Sequence, residues 1–272
     1  MSNIENVLRE KNFRFNKQFG QNFITDTNLL DAMVADSGVT ADDVVVEIGA
    51  GAGTLTRAIA KVAKKVISFE IDRNLKEVLD VTLQGLDNVE VVFRDIMKVS
   101  DEEIKSLVGE NFKVVANLPY YITTPIIMRF LECDLKPQTL SVMVQKEVAE
   151  RLVAKAGTAE YGAITAVVDL YANAKITRIV GKNNFYPVPK VDSAVIRLDI
   201  CDKKYDCNKN KVKQIIKASF AMRRKTLVNN LMALGLSREC VESALTQLGF
   251  DVRVRGEVLQ VADFIGLANI LL

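Results

Sequence analysis

Residues 44–53 read VVVEIGAGAG, a β-branched run that passes directly into alternating glycines. Valine and isoleucine favour strands, and glycines at this spacing allow the tight turn by which a strand enters a helix. A helix is predicted from about Thr54 to Ala63. This order of strand, glycine turn and helix is typical of a nucleotide-binding α/β unit. The alternative is an ordinary tight turn, since such glycines occur in many proteins.

Three further strands are predicted after this unit, and each is followed closely by a polar residue. Residues 66–70 end at Glu70, residues 89–93 lead to Asp95, and residues 114–116 lead to Asn117. Because parallel strands end at one edge of a sheet, these side chains and Gly49 are expected to lie together. Glu70 is about twenty residues beyond the first glycine, where such folds bind the ribose hydroxyls of an adenosine. Asp95 could accept a hydrogen bond from the adenine amino group. The alternative is that Glu70 and Asp95 are ordinary surface residues.

The fourth strand leads into Asn117-Leu118-Pro119-Tyr120. An exocyclic amine such as adenine N6 is a poor nucleophile because its lone pair is delocalised into the ring. If the Asn117 side-chain oxygen and the Leu118 carbonyl each accept one N–H, the lone pair is localised and aimed. Pro119 restricts Leu118 to an extended conformation, and Tyr120 can stack on the base. The plain alternative is a strand that ends in an Asn-x-Pro turn.

The cofactor pattern alone fits either a dinucleotide or S-adenosylmethionine. A hydride-transfer enzyme has no evident use for an amine clamp, whereas a methyl donor with a sulfonium leaving group needs a polarised amine. The sequence therefore favours methyl transfer to an amino group, with S-adenosyl-L-methionine as cofactor. The chain contains no His, which excludes His-based triads and His metal sites, and no metal ligand set is predicted.

The region beyond the clamp is predicted to complete an α/β domain over residues 1–200. Helices are expected at 124–131, 145–152 and 163–171, a fifth strand at 140–144, and a closing strand pair at 174–180 and 193–200. Between the last two strands lies a stiff loop, residues 185–193, with prolines at 187 and 189. Its Phe185 could cover the other face of a flipped base, or it could be an ordinary core residue.

Two regions carry the basic residues expected to contact nucleic acid. In an N-terminal arm, residues 9–23, basic residues such as Arg14 and Lys17 alternate with aromatic residues. After a polar linker at 201–211, residues 201–272 are predicted to form a small helical RNA-binding domain that includes Arg223-Arg224-Lys225. The alternatives are an arm whose Phe residues pack on the body and a solvated charged face.

Length, composition and charge limit the number of domains and the class of protein. A length of 272 residues with 49% hydrophobic content suits a main domain and a smaller one, and a net charge of +2 hides any local basic face. The four Cys residues show no metal spacing, so reduced thiols are expected. The N-terminus lacks an apolar signal segment and no stretch is long enough to span a membrane, so we expect a cytoplasmic monomer without a membrane partner.

Taken together, the motifs resemble the KsgA family of small-subunit ribosomal RNA adenine-N6 dimethyltransferases over nearly the whole chain. The matching segments are QNFI (21–24), EIGAG (47–51), EID (70–72), NLPY (117–120), QKE (145–147), FYPVPKVDS (185–193) and FAMRRKT (220–226).

The resemblance implies an α/β, Rossmann-like S-adenosylmethionine-dependent methyltransferase domain and a small helical domain. It implies catalytic positions at Asn117, Leu118, Tyr120 and Phe185. The family's cofactor contacts correspond here to Asn22, Ile24, Gly49, Glu70, Asp95 and Asn117, and the glycine turn adds Gly51 to the predicted cofactor positions. Tyr121 departs from the smaller polar residue expected at that position.

The implied substrate is the terminal stem-loop of small-subunit ribosomal RNA, in a partly assembled subunit, where two adjacent adenines are dimethylated at N6 during ribosome biogenesis. Two alternatives stay open. One is a large-subunit RNA adenine methylase of the macrolide-resistance type, which shares the clamp. The other is a non-catalytic RNA-binding assembly factor on the same fold, which degraded cofactor positions would indicate.

Overall fold

The computed structural model describes residues 4–11, 13, 22–201 and 204–272. Its strands are β1 (Phe23–Ile24), β2 (Val44–Ile48), β3 (Lys65–Phe69), β4 (Val89–Val92), β5 (Lys113–Asn117), β6 (Thr139–Gln145), β7 (Ala172–Val180), β8 (Phe185–Tyr186) and β9 (Ser193–Ile200). Its helices are α1 (Ile4–Glu10), α2 (Thr27–Ser37), α3 (Thr54–Ala60), α4 (Lys76–Thr82), α5 (Asp101–Val108), α6 (Thr123–Glu132), α7 (Lys146–Leu152), α8 (Ala163–Tyr171), α9 (Lys209–Ser219), α10 (Leu227–Leu231), α11 (Arg238–Gln247) and α12 (Val261–Leu271).

The larger sheet has the strand order β4-β3-β2-β5-β6-β9-β7 among the described residues. Strands β4, β3, β2, β5 and β6 pair in parallel, and β9 pairs antiparallel with β6. Strand order reverses between β2 and β5, where the chain leaves β2 toward β3 on one side and reaches β5 on the other. Ligands in open α/β sheets bind at such a reversal, beyond the carboxyl ends of the strands.

The parallel strands are apolar because both faces of the sheet are covered. Val45, Val46, Val66, Ile67 and Val114 are fully buried, as expected for β-branched residues in the middle of a parallel sheet. Helices α2 and α3 pack on one another and contribute Leu30, Met33 and Ile59 to the same core cluster as Val45 and Val66. This core fixes the carboxyl ends of the strands in a rigid edge.

A second, two-stranded sheet joins two segments that are far apart in sequence. Strand β1 pairs antiparallel with β8, so that Phe23 lies opposite Tyr186 and Ile24 opposite Phe185. The loop at residues 185–193 therefore meets the end of the N-terminal arm. Most of that arm, including Arg14 and Lys17, lies outside the described residues.

Contacts divide the chain into two units. The first, residues 1–149 and 175–200, carries the sheet, and the second, residues 150–174 and 201–272, is helical. The sequence boundary at residue 200 coincides with one division, but residues 150–174 group with the helical unit. In the helical unit, the centroid of the Phe220 ring lies 5.8 Å from that of Tyr161 and 6.0 Å from that of Phe264. These contacts join segments that are far apart in sequence.

The α/β architecture is confirmed, and the element bounds differ from the predicted ones mainly at their ends. Helix α8 and strand β9 occupy the predicted ranges, whereas α3 ends at Ala60 rather than Ala63. Within 201–211, predicted as a linker, α9 already begins at Lys209. Among the described residues, none of the helices has the length and apolar character needed to cross a bilayer.

Candidate active site

A cavity of about 320 Å³ lies at the carboxyl ends of the parallel strands. Its walls include the ends of β2 and β3 at Ile48 and Phe69, and residues that follow β4 and β5. The predicted site residues that line it are Asn22, Ile24, Gly49, Gly51, Glu70, Asp95, Asn117, Leu118, Tyr120 and Phe185. The edge at which the strands end therefore brings these residues together, and their individual roles stay predictions.

The glycine turn forms the floor between β2 and α3. Gly49 and Gly51 have φ angles of 81° and 55°, a region that glycine enters without steric cost. The Gly49 N–H donates to the Phe69 carbonyl at 2.8 Å, which joins the end of β2 to the end of β3. A Cβ at Gly51 would lie 2.9 Å from the Phe23 ring. The turn therefore has to be glycine both for its backbone angles and for space.

Glu70 points its carboxylate at backbone N–H groups beside the turn. Oε2 accepts from Gly51 N at 2.9 Å, and Oε1 accepts from Ile71 N and Asp72 N, each at 2.8 Å. Burial raises the pKa of this carboxyl, and the three N–H groups act in the opposite direction. A carboxylate offers about four acceptor sites, so about one remains for a ligand hydroxyl. The side chain is thus held in one orientation with capacity left at the cavity.

Asp95 follows β4 and begins a short 3₁₀ turn. Its Oδ1 accepts from Met97 N at 3.0 Å, and Lys98 Nζ lies 4.0 Å from Oδ2. The preceding residue, Arg94, also lines the cavity, and its guanidinium forms a two-pronged ion pair with Glu103 at 2.8 and 3.3 Å. Asp95 therefore contributes a carboxylate that its own turn holds in place.

Asn117 ends β5 with its side chain tied to the β1 segment. The amide Nδ2 donates to the Asn22 carbonyl at 3.1 Å, which leaves Oδ1 as the acceptor of the side chain. Leu118 is buried, and its N–H donates to the Met143 carbonyl at 3.4 Å. Pro119 follows with φ −56° and ψ 134°. These contacts fix the backbone and the amide that the sequence indicates as an amine clamp.

Two aromatic residues complete this wall. The Tyr120 hydroxyl lies 2.9 Å from Ser193 Oγ at the start of β9, close enough for a hydrogen bond. Phe185 is buried and belongs to the main core cluster, yet it also lines the cavity. The two interpretations that the sequence left open for Phe185 are therefore compatible, because one ring can pack in the core and still present an edge or face to the cavity.

A buried carboxyl lies directly before the glycine turn. Glu47 Oε2 accepts from Thr56 Oγ1 and Ser68 Oγ, both at 2.6 Å, so it links β2 to α3 and β3. Its Oε1 has no hydrogen-bond partner among the described residues. Complete burial raises the pKa of Glu47 to about 8, and the nearby charge of Glu70 adds to the rise. Glu47 is accordingly neutral at pH 7.

The predicted RNA-contacting residues of the helical unit lie on an exposed segment between α9 and α10. Arg223, Arg224 and Lys225 are exposed, and Arg223 Nη2 donates to the Ala159 carbonyl at 2.9 Å. The buried Asn230 donates to the Ser219 and Met222 carbonyls at 2.8 and 3.2 Å, which holds the start of this segment. The three cations thus project from an anchored backbone.

Sequence reasoning did not find Ser193, Glu47 or the contact between Asn22 and Asn117. The partners Tyr120 and Ser193 are 73 residues apart, and Asn22 and Asn117 are 95 apart, so no local pattern signals either contact. The position of Glu47 next to the glycines was the available signal for that residue. Within the described ranges, no cluster of three or more Cys, Asp or Glu is arranged to hold a metal ion.

The donor set suits a nucleoside-containing cofactor beside an amine substrate. Glu70 can accept from a ribose hydroxyl, Asp95 can accept from an amino group, and the turn at Gly51 has no side chain to fill the adjoining space. Asn117 and Leu118, which carry the two predicted acceptor oxygens, line the same cavity. Such a site can bring an electrophile carried by a nucleoside to an exocyclic amine.

Comparison with protein families gives a match over residues 12–271 to the model described as ribosomal RNA adenine dimethylase. The relatives include "Ribosomal RNA small subunit methyltransferase A" of Clostridioides difficile, which is 46% identical over 97% of this chain and 93% of its own. The protein of the same name from Geobacillus thermodenitrificans is 42% identical over 98% of this chain and 94% of its own.

Two solved structures are similar over most of the chain. A dimethyladenosine transferase from Plasmodium falciparum has a TM-score of 0.75 and 26% identity, covering 90% of this chain and 95% of its own. The 23S rRNA methyltransferase ErmE has a TM-score of 0.71 and 26% identity, covering 92% of this chain and 99% of its own.

Proposed function

Because the chain belongs to the ribosomal RNA adenine dimethylase family, we propose that it transfers methyl groups to N6 of adenines in small-subunit ribosomal RNA. It is an rRNA methyltransferase, as are the relatives named for the small subunit at 40–46% identity. The observation that carries the proposal is the position of Asn117, whose amide donates to Asn22 and lies in the wall of the cavity that also contains Glu70 and Gly51.

The methyl donor in this proposal is S-adenosyl-L-methionine. When bound, it supplies an electrophilic methyl group on a sulfonium. Glu70 would accept from the ribose, Asp95 from the adenine amino group, and the glycine turn would admit the rest of the molecule at close range. Asn22 and Ile24 would line the part of the wall formed by the β1 segment. All seven predicted cofactor positions line the cavity, which favours a cofactor-binding enzyme over a non-catalytic factor.

The substrate amine would be activated by two acceptors and one ring. The Asn117 side-chain oxygen and the Leu118 carbonyl would each accept one N–H of N6, which localises the nitrogen lone pair and directs it to the methyl carbon. Tyr120, with its hydroxyl fixed to Ser193, would stack on the base, and Phe185 would bound the opposite face. Because the amine attacks first, the surplus proton on N6 would pass to water after the transfer, and no side-chain base is required.

A second transfer to the same nitrogen is compatible with this site. N6-methyladenine retains one N–H for a single acceptor, and its lone pair can still be aimed. We propose that two adjacent adenines in the terminal stem-loop are each dimethylated, in a partly assembled subunit and by a monomer. Loop bases can be flipped at little unstacking cost, which suits a site that reads only one base. Arg223, Arg224 and Lys225 would bind phosphates of the same RNA.

The role of Asn117 is tested by Asn117→Ala. We expect the methyl-transfer rate at saturating S-adenosylmethionine to fall on the order of a hundredfold or more, by analogy with the loss of one oxyanion-hole donor. RNA affinity should change much less, because the amide acts mainly while the lone pair is being localised. Rapid-quench measurement of methyl incorporation into unmodified small subunits gives the rate.

The exposed Asn74, in the 3₁₀ turn after Glu70, provides the matched control. Asn74→Ala removes the same amide from the same unit and should leave the rate within about twofold, as surface substitutions generally do. Near-normal turnover of Asn117→Ala under saturating cofactor would show that the clamp assignment is wrong.

A further inference from the structure

Tyr121 stands out at the mouth of the cavity because it is both part of the lining and 58% exposed. Single exposed apolar residues are normal on protein surfaces, so exposure alone says little. Here, however, the ring stands beside a site that must receive an RNA base. Ile71, 44% exposed, is a second apolar residue of the same lining. An apolar rim at this point suits the faces of nucleobases better than it suits water or phosphate.

The backbone directs the side chains of Tyr120 and Tyr121 differently. Tyr120–Ile122 form one 3₁₀ turn. A 3₁₀ helix has three residues per turn, so consecutive side chains diverge by roughly 120°. The hydroxyl of Tyr120 is fixed to Ser193 Oγ, which sets the direction of its ring. The Tyr121 side chain therefore leaves the backbone in a different direction from that of Tyr120, which allows the two rings to contact different bases.

The backbone under Tyr121 is well anchored although the ring is exposed. Ile122 N donates to the Pro119 carbonyl at 3.1 Å, and the hydroxyl of the buried Thr123 donates to the same carbonyl at 3.4 Å. The Tyr121 hydroxyl itself makes no hydrogen bond among the described residues. A rigid base with an uncommitted ring lowers the ordering cost of stacking, as in aromatic residues that bind flexible partners.

We propose that Tyr121 is the stacking platform for the nucleobase that flanks the target adenine, and that it thereby helps to select an adenine with an unpaired neighbour. This inference rests on the proposed function, because it takes RNA as the substrate. Base–aromatic stacking is tolerant of base identity, since every base has a π-face. The ligand class is therefore a single-stranded nucleobase next to the one being methylated.

The test uses the full-length chain and two variants, Tyr121→Ala and Tyr121→Phe. Phe keeps the ring and removes only the hydroxyl, so it should behave like the wild type. For Ala we expect KM for unmodified small subunits to rise about 5- to 150-fold, the range for one base–aromatic stack, with a smaller change in kcat. Affinity for S-adenosylmethionine, measured by calorimetry, should stay within about twofold in both variants.

A second measurement reports stacking without activity. Small subunits are assembled from ribosomal RNA in which 2-aminopurine replaces the base beside the target adenine, since stacking quenches its fluorescence. The wild type and Tyr121→Phe should quench the probe on binding, and Tyr121→Ala should quench it less at equal occupancy. A probe placed several nucleotides away should respond equally to all three proteins.

Several results would overturn the inference. Equal KM and equal quenching for Ala and the wild type would remove any role for the ring. Equal losses for Ala and Phe would assign the effect to the hydroxyl, and a loss of cofactor affinity would make Tyr121 part of the cofactor wall. In these cases the wild type still methylates the subunits, so the proposed function stands. If the wild type neither methylates nor binds them, the proposed function fails and this inference fails with it.

Discussion

Asn117 combines two hydrogen-bonding tasks in one amide. Its nitrogen donates to the Asn22 carbonyl at 3.1 Å, and its oxygen remains to accept from a substrate amine. An acid at this position could not perform both tasks, because an ionised carboxylate only accepts. The identity of the residue, and not simply its polarity, is therefore what the proposed chemistry requires.

Glu47 is expected to make the stability of the folded protein depend on pH. Its carboxyl is fully buried, and its pKa is raised from 4.5 to about 8, chiefly by burial. The folded state therefore holds this proton over a pH range in which the unfolded chain has lost it. Stability from this group is fully present below about pH 4.5 and is lost as pH rises toward 8, with a loss of up to about 5 kcal/mol.

Glu47→Gln removes that titration while keeping an acceptor for Thr56 and Ser68. We expect the free energy of unfolding of the variant, relative to wild type, to rise by several kcal/mol between pH 5 and pH 8. Urea titrations at a series of pH values measure the difference. Glu102→Gln, at an exposed position on α5, is the matched control for the loss of one carboxyl group from the sheet unit. Parallel curves for Glu47→Gln and wild type would contradict the assignment of a neutral buried acid.

At the scale of elements, the site depends on how closely the glycine turn approaches its neighbours. Gly53, at the start of α3, has a φ of 79°, and a Cβ there would lie 2.7 Å from Thr82 Oγ1 and 3.0 Å from Leu83 Cδ2. Gly85 has almost the same φ, 80°, with no atom within 4 Å of the Cβ position. A comparison of alanine substitutions at Gly53 and Gly85 therefore distinguishes the cost of backbone strain from the cost of steric overlap.

Both Gly→Ala variants should lose stability, but by different amounts. Gly85→Ala carries only the left-handed backbone cost of about 1–2 kcal/mol, partly offset by about 0.4–1 kcal/mol through the unfolded state. Gly53→Ala should lose about 1–3 kcal/mol more, because Thr82 and Leu83 must move. Thermal unfolding of the two variants side by side measures this. Equal losses would mean that α3 and α4 are not packed as closely as described.

The sequence predicted elements well where one local pattern dominated. The β-branched run Val44–Val46 predicted β2 at its observed range, because a strand that is buried on both faces is mostly apolar. Strand β9 was also predicted at its observed range. Helix α5 was not predicted, although Ser100 and Glu103 form a capping box that the sequence displays. The pairing of β1 with β8 had no local signal, since Phe23 and Tyr186 meet only through the tertiary fold.

The candidate site was predictable to a similar degree. Glu70, Asp95 and Asn117 follow parallel strands, so the common edge of the sheet could be inferred from strand order alone. Ser193 and the orientation of Asn117 depend on contacts between distant segments, which single-residue patterns do not encode. Arg14 and Lys17 belong to a predicted RNA-contacting arm outside the described residues, and that role stays a prediction.

At the scale of the whole molecule, the cavity and the proposed phosphate contacts lie in different units. The sheet unit carries the cavity, and the helical unit carries Arg223, Arg224 and Lys225. Neutralising the three by Ala should weaken RNA binding and flatten its salt dependence by up to about 0.7 log unit of slope per lost phosphate contact. Affinity for S-adenosylmethionine should not change. Filter binding over a salt series, with calorimetry for the cofactor, gives both quantities.

The control for that experiment is a triple variant of equal charge change at the exposed Lys61, Lys64 and Lys105 of the sheet unit. If the slope flattened equally in both triple variants, general charge rather than a defined footprint would explain the binding.

The most direct test of the central claim is to map the methyl groups transferred to ribosomal particles. Unmodified small and large subunits are incubated separately with the protein and S-adenosylmethionine, and the RNA is digested and read by mass spectrometry. We predict N6-dimethyladenine at two adjacent positions in the terminal stem-loop of small-subunit RNA, and none in large subunits. Methylation confined to large-subunit RNA would instead support the macrolide-resistance type, and methylation of neither subunit would contradict the assignment as an enzyme.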